Sequence, residues 1–238
     1  MDNLKLQENR STLLAFRDHP VITASSEPPR SSTAGGSEVE RVFGLLYEWV
    51  VSAELRPGEF LSEPELAARC NTSRTPVREA LGRLVQDGWI TSIHRKGFRV
   101  RPISFKDISE VYTCRALFEQ YAAERAAKSG TVEQFAAVEE IVDMESEPDI
   151  PTNELVTTND LFHMTLAEMT GNDRIITQMR LIMAHVRRLE TISPVLSPEQ
   201  VTHRAILDAI TARDGRLAHS LMGEHISFGL ECMIRSFC

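Results

Sequence analysis

Residues 71–88, NTSRTPVREALGRLVQDG, limit what this chain can become more than any other stretch. Val77, Ala80, Leu81, Leu84 and Val85 recur at helical spacing, so the segment reads as a helix that buries one side. Pro76 stands in the first turn, where its missing N–H costs nothing, and Gly88 supplies the stop. The opposite side carries Thr75, Arg78, Glu79 and Gly82. Upstream, Val39, Val42, Phe43, Leu46, Tyr47 and Val50 form a second helical stripe, and Arg56-Pro57-Gly58 force a turn. Ser62 and Glu65 then have the spacing of a capping box, opening a short helix through Leu66 and Ala67 that Asn71 and Thr72 end. Downstream, WITSIHRKGFRVRPI sets Ile90 and Ile93 against Phe98 and Val100 around a His-Arg-Lys-Gly tip, the pattern of a β-hairpin. Helix, short helix, turn, helix and basic hairpin predict a winged helix-turn-helix.

Charge gives this segment a second meaning. The 238 residues carry a net charge of −8, yet between Arg69 and Lys106 nine bases face only Glu79 and Asp87, a net of +7. From Asp107 onward eleven bases stand against twenty-one acids, a net of −10. A basic module joined to an acidic one points to nucleic-acid contact by the first alone. Arg69, Arg74, Arg78 and Arg83 are then either a solvated, ion-paired face or a surface for a polyanion. A major groove admits one helix, N-terminal end first, and arginine offers two donors to a guanine edge. Arg74 and Arg78, four apart, suit that task. Ser73 and Thr75 at the helix start suit phosphate oxygens. His94, Arg95 and Lys96 at the hairpin tip are placed for a neighbouring minor groove. The plainer reading pairs Arg78 with a nearby acid and uses the hairpin only to close a core.

The remainder divides into a lead-in and a bundle. Residues 1–36 end in a Pro/Ser/Gly/Thr-rich stretch without an apolar period, which reads as flexible. Residues 37–106 make the DNA-binding domain and 107–238 an all-α bundle of about six or seven helices. In the first of these, Val111, Cys114, Ala116, Leu117, Phe118 and Tyr121 recur at helical spacing. Residues 144–153 read as a loop, and Ser197, Pro198 and Gln200 as a helix start. The expected fold is therefore mainly α, with one small β-hairpin wing. No signal peptide or membrane span is indicated, and Cys70, Cys114, Cys232 and Cys238 form no CxxC pair, so a cytoplasmic protein with reduced thiols and no membrane partner is expected.

Three histidines stand where a bundle could gather them: His163 in NDLFHMTL, His203 in VTHRAIL and His225 in MGEHISF. Asn159 lies one helical turn before His163 and shares its face. Three imidazoles and an oxygen suit zinc, or nickel or another divalent transition metal, with open positions for a ligand carboxylate. Separated histidines are also common as surface or satisfied core residues, and spacing alone does not choose.

The basic module closely resembles the GntR family of bacterial transcription regulators over about residues 38–103, through Pro57-Gly58, Leu66-Ala67, Ser73 to Leu81 (SRTPVREAL), Leu84 to Gly88, and Gly97 to Val100. The resemblance implies groove and phosphate contacts at Ser73, Arg74, Thr75 and Arg78 and a wing contact at His94. Pro64 stands where some relatives carry an arginine that touches DNA. NDLFHMTLAEMTGN followed by HRAILDAITARDGRLAHSLMGEH resembles the FCD ligand-binding domain of the FadR-type subgroup, over about residues 107–235. Relatives with the metal site use an Asp and three histidines, which map to Asn159, His163, His203 and His225; here an amide replaces the carboxylate. Asp160 is one residue out of phase, and His185 and His219 match no motif position. Arg115 in RALFE faces either an effector carboxylate or Glu119 at i, i+4.

These readings combine into a homodimeric repressor that binds a palindromic double-stranded DNA operator and senses a small carboxylic acid through a metal-containing helical domain. Two rivals remain. A metal-dependent enzyme would need a general base, and neither HExxH nor a placed carboxylate marks one. A bundle serving only dimerisation would leave the histidines unused.

Overall fold

The computed structural model describes residues 38–146, 150–193 and 202–237, and it divides between Ser104 and Phe105 into two compact units. The proposed helix start at Ser197, Pro198 and Gln200 lies outside the described residues.

In the first unit, α1 (Glu38–Val51) buries Val42, Phe43, Leu46, Tyr47 and Val50 against α3 (Arg74–Gln86), which answers with Val77, Ala80, Leu81 and Leu84. Both stripes are those read from the spacing. Between them the chain turns at Gly58, whose φ of +82° is one that only glycine adopts without strain, and forms β1 (Phe60–Leu61). The short α2 (Glu63–Arg69) follows. The expected capping box at its start is not made: Ser62 occupies the N-cap, but its hydroxyl accepts no cap hydrogen bond, and Glu65 is exposed. Pro64, in the first turn, has already removed one of the N–H groups that a cap would satisfy. After α3, Gly88 turns at φ +80° into β2 (Ile90–Ile93), and β3 (Gly97–Val100) returns along it, pairing Ile90 with Val100 and Ile93 with Gly97. The sheet runs β1-β3-β2 because Phe60 and Leu61 add a third, antiparallel strand opposite Arg99 and Phe98. The sequence reading had only the hairpin, since two residues are too few to show alternation.

The second unit contains α4 (Phe105–Ser129), α5 (Val132–Glu145), α6 (Thr152–Met169), α7 (Asp173–Ile192), α8 (His203–Thr211) and α9 (Gly215–Ser236), and no strand among the described residues. Thr131 and Gln134 close a complete capping box ahead of α5, and Asn172, Thr202 and Asp214 cap α7, α8 and α9. The expected 144–153 loop is shorter at both ends, because α5 runs on to Glu145 and α6 begins at Thr152. Helix α9 lies close on α4: a β-carbon at Gly223 would come 2.0 Å from the Gln120 amide nitrogen.

The face that α4 buries is not the one its apolar residues indicated. Ile108, Tyr112, Arg115, Glu119, Ala122 and Ala126 point inward, while Leu117 and Tyr121 are 69% and 46% exposed. The helix is where the spacing placed it. Its inward face carries the buried Arg115–Glu119 ion pair, which an apolar period cannot register.

Candidate DNA-reading surface and candidate metal centre

At the start of α3 the extended Ser73 stands as N-cap with no side-chain cap bond, and Ser73, Arg74, Thr75 and Arg78 are all exposed. The opening turn of the helix thus presents free N–H groups, two hydroxyls and two guanidinium groups on one surface. The four arginines of this region divide by role. Arg83 lies over the Phe43 ring at 4.1 Å and bonds Glu40 at 2.7 Å, which fastens α3 to α1. Arg69 covers the Trp49 ring at 4.0 Å and pairs with Glu54. Arg78 bonds Glu63 of α2 at 2.7 Å, so the plainer reading of this residue is met, yet its side chain stays 69% exposed. Arg74 makes no ion pair among the described residues. On the wing, His94, Arg95 and Lys96 form the exposed tip, with Arg95 at φ +63° and Gly97 at φ +87° closing the turn.

In the helical unit, His163 of α6, His203 of α8 and His225 of α9 are all buried, and one nitrogen from each lies within 4.8 Å of the others. The helices bring them together from positions 62 residues apart along the chain. His203 Nε2 and His225 Nε2 are 3.3 Å apart, and Phe162 stacks flat on the His203 ring at 3.9 Å. Behind the imidazoles stand carboxylates: Glu119 Oε2 is 2.6 Å from His163 Nδ1, and Glu145 Oε2 is 2.7 Å from His203 Nδ1. The Glu145 carboxylate bonded to Nδ1 of His203 fixes the tautomer that leaves that ring's Nε2 for an ion, and it raises the basicity of the ring. Glu119 lies close to His163 Nδ1 without hydrogen-bond alignment. The donor set therefore fits a divalent metal of the zinc type.

Electrostatics agree with neutral imidazole. Burial pulls His163 down to about 4, further than the neighbouring Glu119 can raise it, and Arg115 adds to the effect. Burial alone would push Glu119 up, but Arg115 and His163 outweigh it and hold its carboxyl well below the usual range. Arg115, buried, donates from Nε to Glu119 Oε1 at 2.8 Å, and its Nη2 is 3.1 Å from His163 Nε2. Asn159 is half-buried, and its amide nitrogen donates to Glu190 at 3.2 Å. Burial pushes Glu190 up to about 8, with Asp160 and Glu119 adding to the rise and Arg115 opposing it. Asp160 is engaged elsewhere, with Arg187 at 2.6 Å.

Three residues of this centre were not singled out as site residues in the sequence. In the sequence Glu119 is only a partner for Arg115, Glu145 lies inside the expected loop, and no spacing or motif marks Glu190. For Glu145 a signal existed, since Phe135, Val138, Ile141 and Val142 of α5 keep helical period almost to that residue. Glu190 is placed by tertiary packing alone.

A wing-bearing helix-turn-helix followed by a helical unit with a buried histidine cluster is the build of a two-part transcription regulator. The GntR model for bacterial regulatory proteins matches residues 38–100 and the FCD domain model matches residues 110–228, so the chain belongs to the GntR family, with a C-terminal FCD domain. It is 33% identical over 157 residues to the Nta operon transcriptional regulator of Aminobacter aminovorans, covering 64% of this chain and 75% of that one. An HTH-type transcriptional regulator from an unstable DNA locus of Streptomyces ambofaciens is 31% identical over 211 residues, covering 82% and 85%. A GntR regulator from Rhodococcus sp. RHA1 superposes with a TM-score of 0.70 at 25% identity, covering 84% of this chain and 99% of that one. GntR proteins are DNA-binding regulators and not enzymes, so the enzyme reading falls away. No helix among the described residues is long and apolar enough to cross a membrane.

Proposed function

We propose that the chain is a homodimeric, metal-dependent repressor that leaves its operator, or binds it, in response to a small carboxylic acid. Residues 37–106 form the DNA-reading domain behind the 1–36 lead-in, and residues 107–238 form the sensor. Arg74 and Arg78 read base edges, Ser73 and Thr75 take phosphates, and His94, Arg95 and Lys96 extend the contact from the wing. His163, His203 and His225 hold a divalent ion, zinc or alternatively nickel or another transition metal, with the Asn159 oxygen as a fourth donor. Glu119 and Glu145 orient the imidazoles. The ion, when bound, supplies positive charge and open coordination positions for a carboxylate oxygen, and Arg115 supplies N–H donors beside it. The observation that carries this reading is the meeting of three buried histidine nitrogens within 4.8 Å, two of the rings backed by carboxylates. The outward Leu117 and Tyr121, one turn apart on α4, offer an apolar face to a second copy. With DNA as its target, the protein works in the cytoplasm.

The test begins with DNA selected by the protein from a random duplex pool, followed by fluorescence anisotropy with a panel of small carboxylic acids. Selected sites should show two-fold symmetry, and an acid should shift binding by zinc-loaded protein but not by chelator-stripped protein. Asymmetric sites, or an equal response with and without metal, would overturn the reading.

A further inference from the structure

A metal and Arg115 lay claim to the same electron pair. A neutral imidazole has one acceptor nitrogen, and a guanidinium has donors only. Arg115, which can only donate, puts the ring's proton on His163 Nδ1, 2.6 Å from Glu119 Oε2 but not aligned for a hydrogen bond to it. The lone pair of His163 is therefore on Nε2, the nitrogen that Arg115 approaches. Arg115 Nη2 lies 3.1 Å from that atom and donates to it. A metal would need the same lone pair at roughly 2.0–2.1 Å. The two bonds exclude one another, and a dication beside a guanidinium is repelled besides. Arg115 has no easy retreat, being 3% exposed and tied through Nε to Glu119 at 2.8 Å. The ionisable groups that act on it are Tyr112 and Glu119 on its own helix, Asp160 and His163 on α6, and Glu190 on α7.

We propose that Arg115 is an internal competitor of the metal: its hydrogen bond to His163 Nε2 must break for an ion to bind, and the N–H group so released becomes the anion-binding donor beside the ion. The inference rests on the metal reading above and deepens it. Metal entry and the opening of the carboxylate site become one event, which imposes an order in which the ion binds first and the acid second. It also lowers metal affinity below what three imidazoles could reach, keeping occupancy responsive.

The experiment compares zinc affinity of full-length wild type and R115M by competition with a chromophoric chelator, together with nitrogen-15 spectra of arginine and histidine side chains in stripped and zinc-loaded wild type. R115M should bind zinc at least about tenfold more tightly. In wild type, zinc should abolish a slowly exchanging Arg115 guanidinium proton as the His163 Nε2 signal moves to its metal-bound position. Folded R115M that binds zinc no tighter than wild type, or an Arg115 signal untouched by bound zinc, overturns the inference while leaving the metal site standing. If neither protein takes up zinc, both the inference and the metal reading fail. The wild-type spectra decide the matter even where R115M does not fold.

Discussion

Zinc loading should stabilise the helical unit by an amount that follows from mass action. At a free zinc concentration about a hundredfold above Kd, a ligand that binds only the folded state adds about 2.7 kcal/mol. Folding entropy of about 2.1 cal/mol/K per residue, over the roughly 130 residues of the second unit, makes that a rise in Tm of about 10 °C. His203→Ala removes the ring that faces His225 at 3.3 Å and stacks on Phe162 at 3.9 Å, and it strands Glu145. The variant should therefore melt lower without metal and gain less than about 2 °C from zinc at the same concentration. Calorimetry of chelator-stripped and zinc-loaded protein reads both shifts. Trp49 and Trp89, the only tryptophans, lie in the first unit, so their fluorescence separates its transition from that of the helical unit. A wild-type transition that zinc leaves in place, or a His203→Ala protein that gains as much as wild type, would refute the reasoning.

Arg74→Ala and Arg78→Ala should each lose about 1–3 kcal/mol of discrimination at one base pair, seen as relaxed selectivity in anisotropy against single-substituted operators; unchanged selectivity removes them from base reading. Lys96→Ala should instead weaken all DNA alike and reduce the slope of log K against log salt by about one. Asn159→Asp should tighten zinc binding in chelator competition by adding charge at the fourth donor, and the neighbouring Glu190, pushed up to about 8, is protonated at neutral pH and can receive it. Stripped protein should lose stability on acidification: His163 titrates near 4 when folded and near 6.5 when unfolded, so the unfolded chain binds the extra proton and stability falls as pH drops through that window. Glu119, held low when folded, adds to the loss below its ordinary range. Chemical denaturation between pH 7 and 4 measures it, and a flat profile contradicts the assignment.

How far the chain could be read beforehand depended on whether its signals were local. The α1 and α3 stripes, the Gly58 and Gly88 turns, and the hairpin all lie within one or two turns of their causes, and each was legible as spacing or as a residue type. The SRTPVREAL segment and the FCD pattern placed the family for the same reason, being contiguous words. Other features needed partners distant in sequence. Helical spacing turns Arg78 outward, but its bond to Glu63 depends on how α2 lies beside α3. The apolar residues of α4 made a helix certain and pointed it the wrong way, because Arg115 and Glu119 become inward residues only when His163 comes to meet them.

By itself, then, the sequence determined the helices, the basic wing, the opposed charges of the two halves and the identity of the three histidines. Tertiary structure decided that those histidines converge, that Glu119 and Glu145 stand behind them, and that Arg115 occupies the lone pair an ion would need. The physical reason is one of range. Secondary structure answers to hydrogen bonds and burial within a few residues, whereas a buried ionisable cluster is stable only as a whole, each charge tolerated because groups from other helices complete it.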